Sequence, residues 1–148
     1  MVPKRRKPKV LFLCTGNACR SQMAEGWARH LLGDRLEAHS AGIEPKGLDP
    51  RAVRVMAEAG VDISAQRSKP LREVMDKPFD FVVTVCDHAR EQCPLFPGGA
   101  RVIHAGFEDP AAAAGTDDEV LAVFRRAREA IREFVERLPE RIERSAEG

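Results

Sequence analysis

The sequence has no long hydrophobic run, few cysteines and almost no excess charge, and each absence excludes a class of protein. No stretch approaches the roughly 20 apolar residues that a membrane-spanning helix requires, so we expect no membrane association. Four cysteines in 148 residues are too few and too widely spaced for a small secreted domain held by disulfides. A net charge of +1 gives no overall attraction for nucleic acid, and we expect none to bind.

The first nine residues carry a basic cluster of Lys4, Arg5, Arg6, Lys7 and Lys9. The apolar run behind it, residues 10–14, is too short for the core of a signal peptide. We therefore interpret residues 1–8 as a basic, flexible N-terminus and expect a cytoplasmic protein. In a reducing cytosol the cysteines would be free thiols, metal ligands or redox catalysts.

Four short apolar runs have the character of β-strands: Val10–Cys14, Leu36–Ser40, Phe79–Cys86 and Arg101–His104. Helical patterns separate them. This alternation predicts a single α/β domain, a doubly wound parallel four-stranded sheet with helices on both faces. We place this catalytic domain at residues 9–138 and a C-terminal tail at residues 139–148.

The helical patterns differ in strength. In the first, apolar residues recur at i+4: Met23, Trp27 and Leu31. The second places four residues on one face: Val53, Met56, Ala57 and Gly60. A weaker helix is predicted after Pro70. The last runs from about Asp117 until Pro139 ends it, with an apolar stripe of Val120, Phe124, Ala127, Ile131, Phe134 and Leu138.

The segment CTGNACRS, residues 14–21, joins the first strand to the first helix. Gly16 and Asn17 tolerate the left-handed backbone of a tight loop, in which successive N–H groups converge on an anion. The N-terminus of the following helix adds donors, and Arg20 offers a planar fork suited to a tetrahedral oxyanion. The predicted oxyanion-binding residues are Thr15, Gly16, Asn17, Ala18, Cys19, Arg20 and Ser21.

Cys14 ends the first strand, at the edge where parallel sheets bind ligands. The positive field of the loop should lower its pKa toward or below neutrality and make it a nucleophilic thiolate. Ser21 can donate a hydrogen bond to the sulfur or cap the helix. The alternative is a buried structural cysteine with an arginine that only caps a helix. The strand, glycine, serine and helix around the Cys–Arg spacing favour the nucleophile.

The pattern Cys-x5-Arg-Ser in this context resembles the phosphate loop of the low-molecular-weight protein tyrosine phosphatases. The longer string CTGNACRSQMAEGW is more similar to the thioredoxin-coupled arsenate reductases built on that fold. HSAGIE (residues 39–44), VVTVC (82–86) and GFEDPA (106–111) continue the match in order, over most of residues 9–135. The resemblance implies an arsenate- or phosphate-like oxyanion substrate.

The distal cysteines decide between these activities. Reducing arsenate takes two electrons, which a pair of thiols can supply, whereas a phosphatase needs only Cys14 and water. Cys86 and Cys93 flank DHAREQ, and if that segment were helical their α-carbons would be roughly 10.5 Å apart. A disulfide needs them within about 7 Å, so the segment would have to unwind. The residues alone leave open whether Cys86 is a redox thiol or a small buried residue.

The resemblance implies a three-thiol relay. Cys14 attacks arsenate, Cys86 attacks the Cys14 sulfur as arsenite leaves, and Cys93 attacks Cys86. The resulting Cys86–Cys93 disulfide would be reduced by thioredoxin, while Cys19 would be structural. Asp109 matches the family's general acid, although Asp-Pro is also a common start of a turn.

Other positions compare with the family pattern as follows. Asn17 and Ser40 match residues that brace the loop. The phosphatases carry aromatic residues after Asp-Pro, whereas this chain reads DPAAAAG and has no tyrosine, which counts against a phosphotyrosine substrate. Some of the reductases bind potassium with an acidic residue where this chain has Lys69. We predict no potassium site, although Asn17, Glu25 and Ser40 could still contribute.

The spacing of the cysteines does not favour zinc. Cys14 and Cys19 lie in the loop, and Cys86 and Cys93 exceed the usual spacing of zinc ligands. We expect no metal and no cofactor, and we interpret the histidines as surface and strand-end residues. The expected protein is a monomeric, thioredoxin-dependent arsenate reductase. A phosphatase that forms a Cys14 phosphoenzyme and a non-enzymatic thiol sensor are the alternatives.

Overall fold

The structure is a computed structural model that describes residues 7–94, 96 and 99–147, with side chains as far as residue 144. Most of the predicted flexible N-terminus lies outside the described residues. Strands and helices alternate in the order β1 Lys9–Cys14, α1 Arg20–Leu32, β2 Glu37–Gly42, α2 Pro50–Glu58, β3 Phe81–Thr84, α3 Asp87–Glu91, β4 Arg101–His104, α4 Asp117–Glu136 and α5 Leu138–Glu147. Single 3-10 turns at Leu71–Glu73 and Pro110–Ala112 precede β3 and α4. Within the described residues, no helix is long and apolar enough to span a membrane.

The four strands form one parallel sheet in the order β2-β1-β3-β4, which confirms the predicted α/β fold. Residues 10–13 of the central strand β1 are fully buried, and successive side chains point to opposite faces, so both faces are covered. From β1 the chain runs first to β2 on one side and later to β3 on the other. The carboxyl end of β1, where Cys14 lies, is thus a topological switch point, the place where such sheets bind ligands.

Helix α4 has the predicted apolar stripe and begins with a capping box at Thr116. Its fully or nearly fully buried stripe residues are Val120, Phe124, Ala127 and Ile131. Pro139, predicted to end the helical structure, lies in the first turn of α5, where its missing N–H breaks no helical hydrogen bond. The segment predicted as a C-terminal tail is therefore helical as far as Glu147.

Two helices depart in part from the predicted buried face, although Met23 and Trp27 in α1 and Met56 in α2 are buried as predicted. In α1 the last turn buries Leu32 and leaves Leu31 37% exposed. In α2 the buried residues are Ala52, Val55 and Met56. Ala57 is exposed, and Gly60 lies beyond the helix at φ +82°, in the turn that ends it. The weaker helix predicted after Pro70 is only the single 3-10 turn Leu71–Glu73.

Candidate active site

Residues 14–20 form a loop between β1 and α1 whose carbonyl groups are held by the chain outside it. The carbonyls of Cys14, Thr15, Gly16 and Ala18 accept backbone N–H groups from residues 43–49 at 2.8 to 3.1 Å. Among the described residues, no backbone carbonyl accepts the N–H groups of residues 15–19. Apart from the N–H of Asn17, which favours the charged form of the Cys14 sulfur, these donors can bind an anion in the adjoining cleft of about 250 Å³, which most of the loop lines.

Asn17 fixes the shape of this loop. Its backbone is left-handed, with φ 48°, and its side chain is fully buried. The side-chain amide donates to Ser21 Oγ at 2.7 Å, and the side-chain carbonyl accepts the N–H of Lys69 at 3.0 Å. Gly42, at the end of β2, comes so close that a Cβ there would lie 2.8 Å from a loop carbonyl. The loop is therefore shaped before any substrate arrives.

Ser40 reaches the loop only indirectly. Its hydroxyl donates to the buried carboxylate of Glu25 at 2.5 Å, and that carboxylate pairs with Arg29 at 2.7 Å. The Nζ of Lys69 lies 3.9 Å from the same carboxylate. Burial lowers the pKa of Lys69, while Glu25 acts against that shift. Lys69 thus brings positive charge to Glu25. Among the described residues, no cluster of His, Cys, Asp and Glu side chains could hold a metal ion.

Arg20, the first residue of α1, extends its guanidinium toward the segment before α4. Its Nη1 donates to the carbonyl of Phe107 at 3.1 Å, and its Nη2 lies 3.6 Å from Asp109 Oδ2. The other oxygen of Asp109 accepts the N–H of Ala111 at 3.0 Å and caps the 3-10 turn. The structure therefore brings Arg20 and Asp109 to one cleft. The carbonyl of Phe107, which orients the arginine, has no side-chain signal by which the sequence could have revealed it.

Cys14 and Cys86 meet at the edge of the sheet. Cys14 ends β1, and Cys86 lies two residues beyond the end of the neighbouring strand β3, at the N-cap of α3. Each is the largest influence on the pKa of the other. The Cys86 sulfur also accepts the N–H of Ala89 at 3.4 Å and lies 3.3 Å from Thr15 Oγ1. Two cysteines far apart in sequence are therefore neighbours beside the cleft.

The lowered pKa in this pair belongs to Cys86, whereas the sequence predicted a lowered pKa for Cys14. The hydrogen bond from Cys14 is the main cause that holds the pKa of Cys86 well below its usual range. The same bond, followed by burial, raises the pKa of Cys14, and it outweighs Ser21, Arg20 and the N–H of Asn17. The predicted lowering of the Cys14 pKa is wrong for this resting pair. The two thiols therefore titrate as a coupled pair, with the pKa of Cys86 lowered and that of Cys14 raised.

Cys93 lies outside the cleft, after α3. It is half-buried, its sulfur lies 3.7 Å from the carbonyl of Pro94, and burial raises its pKa. The segment between Cys86 and Cys93 is mostly the helix α3. None of the four cysteines forms a disulfide. Because a helix holds such α-carbons roughly 10.5 Å apart, a Cys86–Cys93 disulfide requires α3 to unwind.

Comparison of the sequence with known protein families identifies the family of this chain. Residues 9–147 match the family described as low molecular weight phosphotyrosine protein phosphatase. The chain belongs to this family.

Among its relatives is the arsenate reductase of Halalkalibacterium halodurans, 51% identical over 125 residues, which are 84% of this chain and 90% of that protein. A solved arsenate reductase in the phosphate binding state is 36% identical, with a TM-score of 0.73, covering 91% of this chain and 98% of the other. The thioredoxin-dependent arsenate reductase of Corynebacterium glutamicum is 29% identical, with a TM-score of 0.69, over 94% of this chain and 63% of the other. The resemblance seen in the sequence is confirmed.

Two residues complete the cleft in this member of the phosphatase family. Cys19 is buried and donates to Asp49 at 3.5 Å; burial, together with Asp49, raises its pKa, so it stays a thiol. Lys46 also lines the cleft, with its methylene groups 3.5 Å from where a Cβ of Gly16 would lie. No sequence pattern singled out Lys46, because its place depends on the loop after β2 folding over residues 14–20.

Proposed function

We propose that the protein reduces arsenate to arsenite by a relay of Cys14, Cys86 and Cys93, and that thioredoxin reduces the final disulfide. The observation that carries the proposal is that Cys86 lies against the oxyanion loop, its sulfur 3.3 Å from Oγ1 of Thr15, the residue that follows Cys14 in the lining of the cleft. Hydrolysis of a phosphate ester needs only one of these thiols. The arsenate reductases among its relatives support the substrate, and the thioredoxin-dependent one supports the reductant.

The first step joins Cys14 to arsenic. Arsenate enters the cleft, where the loop N–H groups and Arg20 bind its oxygens. Cys14 passes its proton to the neighbouring Cys86 and attacks the arsenic atom. Asp109, which the oxyanion displaces from Arg20, passes a proton from solvent to the arsenate hydroxyl that departs, so that water leaves and a Cys14–arsenate thioester remains.

The second step moves the electrons. Cys86 attacks the sulfur of Cys14, and the S–S bond forms as the S–As bond breaks, while the proton of Cys86 passes to an oxygen of the departing arsenite. The electron pair of that bond stays on arsenic, which leaves as arsenite. Because Cys86 starts beside Cys14, this attack needs no rearrangement of the sheet edge.

The third step carries the oxidation away from the cleft. Cys93 attacks Cys86, which frees Cys14 and leaves a Cys86–Cys93 disulfide. Since α3 separates the two residues, it must unwind at this stage. A thioredoxin dithiol then returns two electrons and restores both thiols.

A single turnover tests the proposal. Fully reduced protein is mixed with excess arsenate and no reductant, arsenite is assayed, and thiols are mapped by mass spectrometry. We expect one arsenite per chain together with a Cys86–Cys93 disulfide. Intact thiols and no arsenite would overturn the relay.

Phosphomonoester hydrolysis is a second candidate activity, favoured by the family match and by the meeting of Arg20 and Asp109 at the cleft. The same loop can stabilise a phosphoryl transition state, with Cys14 as the nucleophile. Ala111 lines the cleft and provides no aromatic wall, which favours a small ester over phosphotyrosine. Turnover of p-nitrophenyl phosphate that survives loss of Cys93 would establish this activity alongside reduction.

A further inference from the structure

Three polar side chains that have no part in the thiol relay lie close to Cys86. Thr84 and His104 are the last residues of β3 and β4, and they pair in register across the sheet. Cys86 follows Thr84 by two residues, and Asp87 begins α3. Parallel strands end at the same edge, so the sequence places a threonine, a histidine and an aspartate around the start of this helix.

The three side chains form a continuous hydrogen-bonded chain. His104 Nδ1 lies 2.8 Å from Thr84 Oγ1, and His104 Nε2 lies 3.1 Å from Asp87 Oδ1. Because a carboxylate only accepts, Nε2–H donates to Asp87, and in the neutral ring Nδ1 then accepts the hydroxyl of Thr84. Thr84 is fully buried, so the imidazole is anchored from the sheet side.

Gly106 leaves room for this arrangement. A Cβ at that position would lie 3.3 Å from His104 Nε2 and 3.9 Å from Asp87 Oδ1. A side chain there would therefore crowd the contact between the imidazole and the carboxylate.

We propose that His104 is a positioning residue of the thiol relay: with Thr84 it holds Asp87, and so keeps α3 wound and Cys86 beside Cys14. We name this Thr84–His104–Asp87 chain the latch. The inference rests on the proposed function, since it matters only if Cys86 goes on to join Cys93. The latch favours the reduced state and must open as the disulfide forms.

Helix α3 is too short to be stable alone, so it depends on contacts such as the latch. Helix α3 has five residues, far fewer than an isolated helix needs for stability. Its hold on the protein comes from the buried Ala89, from the N-cap at Cys86 and from the latch. When the two thiols join, the α-carbons must approach and the first turn must unwind, so Asp87 leaves His104.

The latch therefore shifts a thiol–disulfide equilibrium. In dithiothreitol redox buffers, oxidised dithiothreitol takes two electrons and two protons from Cys86 and Cys93 and becomes reduced dithiothreitol. A contact present only in the dithiol form opposes this reaction. Removing one such hydrogen bond should raise the equilibrium constant for disulfide formation by about 3- to 10-fold.

The test compares wild type with His104→Ala, Asp87→Ala and the double variant. The fraction of Cys86–Cys93 disulfide is measured after acid quenching, alkylation and mass mapping. We expect each single variant to shift the equilibrium toward the disulfide, and the double variant to shift it no further than the larger single effect. His88→Ala is the matched control: it lies on the same helix, is exposed, and has no hydrogen bond from its side chain among the described contacts.

The outcomes separate the latch from a merely structural role and from the proposed function. A structural role would lower the melting temperature of the oxidised and reduced forms alike and leave the redox equilibrium unchanged, which would overturn the latch. Additive shifts in the double variant would overturn it as well. Asp87 is exposed, so its variant retains the fold even if His104→Ala does not. A wild type that forms no Cys86–Cys93 disulfide would overturn both proposals, whereas an unchanged equilibrium in the variants would overturn the latch alone.

Discussion

Arg20 and Asp109 lie 3.6 Å apart in the cleft, so the guanidinium that should bind the oxyanion faces a carboxylate before any substrate is bound. The arginine side chain is 12% exposed and the aspartate side chain 43% exposed. The carbonyl of Phe107 holds the other guanidinium nitrogen. An entering oxyanion thus competes with Asp109 for one half of the fork, and Asp109 is left near the oxygen that must be protonated.

Asp109→Asn should separate binding from catalysis. The asparagine oxygen can still accept the N–H of Ala111, so the turn is retained, while the competing charge on Arg20 disappears. We expect inorganic phosphate to bind at least as tightly as in wild type, and the single-turnover rate of arsenite formation to fall by about 10²- to 10⁴-fold with the loss of the acid. Competition by phosphate and rapid-quench assays measure the two effects. An unchanged rate would remove Asp109 from the role of acid.

The oxyanion loop could be predicted because its signals are local. Glycine, arginine and serine follow a strand at fixed spacing, and each acts within a few residues of Cys14. Lys46 and the carbonyl of Phe107 could not be predicted, because they enter the cleft from segments that only the folded sheet brings there. A backbone carbonyl also leaves no trace in a residue pattern.

The positions of the strands could be predicted from the sequence, but their exact ends and the buried faces of the helices could not. Fully apolar runs such as residues 10–14 identify buried parallel strands, but their ends depend on pairing, so the run Phe79–Cys86 yields only the strand Phe81–Thr84. The face that α2 buries could not be read from a two-turn pattern, since its partners are α1 and α4. The pKa of Cys14 was mispredicted for a related reason: its shift is governed by a contact with Cys86, 72 positions away in the sequence.

Asn17 offers a test of how the loop is held. Asn17→Ala removes two buried side-chain hydrogen bonds, at about 1 kcal/mol each. It also places alanine in a left-handed conformation, at a cost of about 1 kcal/mol. We expect the free energy of unfolding in urea to fall by about 3 kcal/mol. Asn17→Gly is the matched control, since it loses the same bonds without the strain and should recover about 1 kcal/mol. An equal decrease in the free energy of unfolding in both variants would show that the left-handed backbone at this position is not strained in Asn17→Ala.

Cys93→Ser should stop the relay after one turn. Cys14 and Cys86 remain, so arsenite is still released once, and the protein is left with a Cys14–Cys86 disulfide. We expect one arsenite per chain without reductant, and loss of multiple turnover with thioredoxin, thioredoxin reductase and NADPH. Hydrolysis of p-nitrophenyl phosphate by the reduced variant serves as the control and should persist. Loss of both activities to the same extent would contradict a role for Cys93 confined to redox chemistry.

The opposite pKa shifts of Cys14 and Cys86 predict how each thiol will titrate when the other is removed. The bond from Cys14 is the main cause of the low pKa of Cys86, so Cys14→Ala should raise the pKa of Cys86 toward the ordinary thiol value. Its thiolate would then be lost at a higher pH than in wild type. In Cys86→Ala the largest cause of the raised Cys14 pKa is removed, while Ser21 and Arg20 continue to favour the charged form.

The pKa of Cys14 should therefore fall in Cys86→Ala, the direction that the loop alone predicts. Thiolate absorbance near 240 nm, followed as a function of pH, measures both shifts. Cys19→Ala is the control, because that thiol is held neutral by burial and by Asp49 and should add no absorbance near neutral pH. An unchanged titration of Cys86 in Cys14→Ala would show that the two thiols are not coupled. Cys14 would then have to lose its proton to another base before it attacks arsenate.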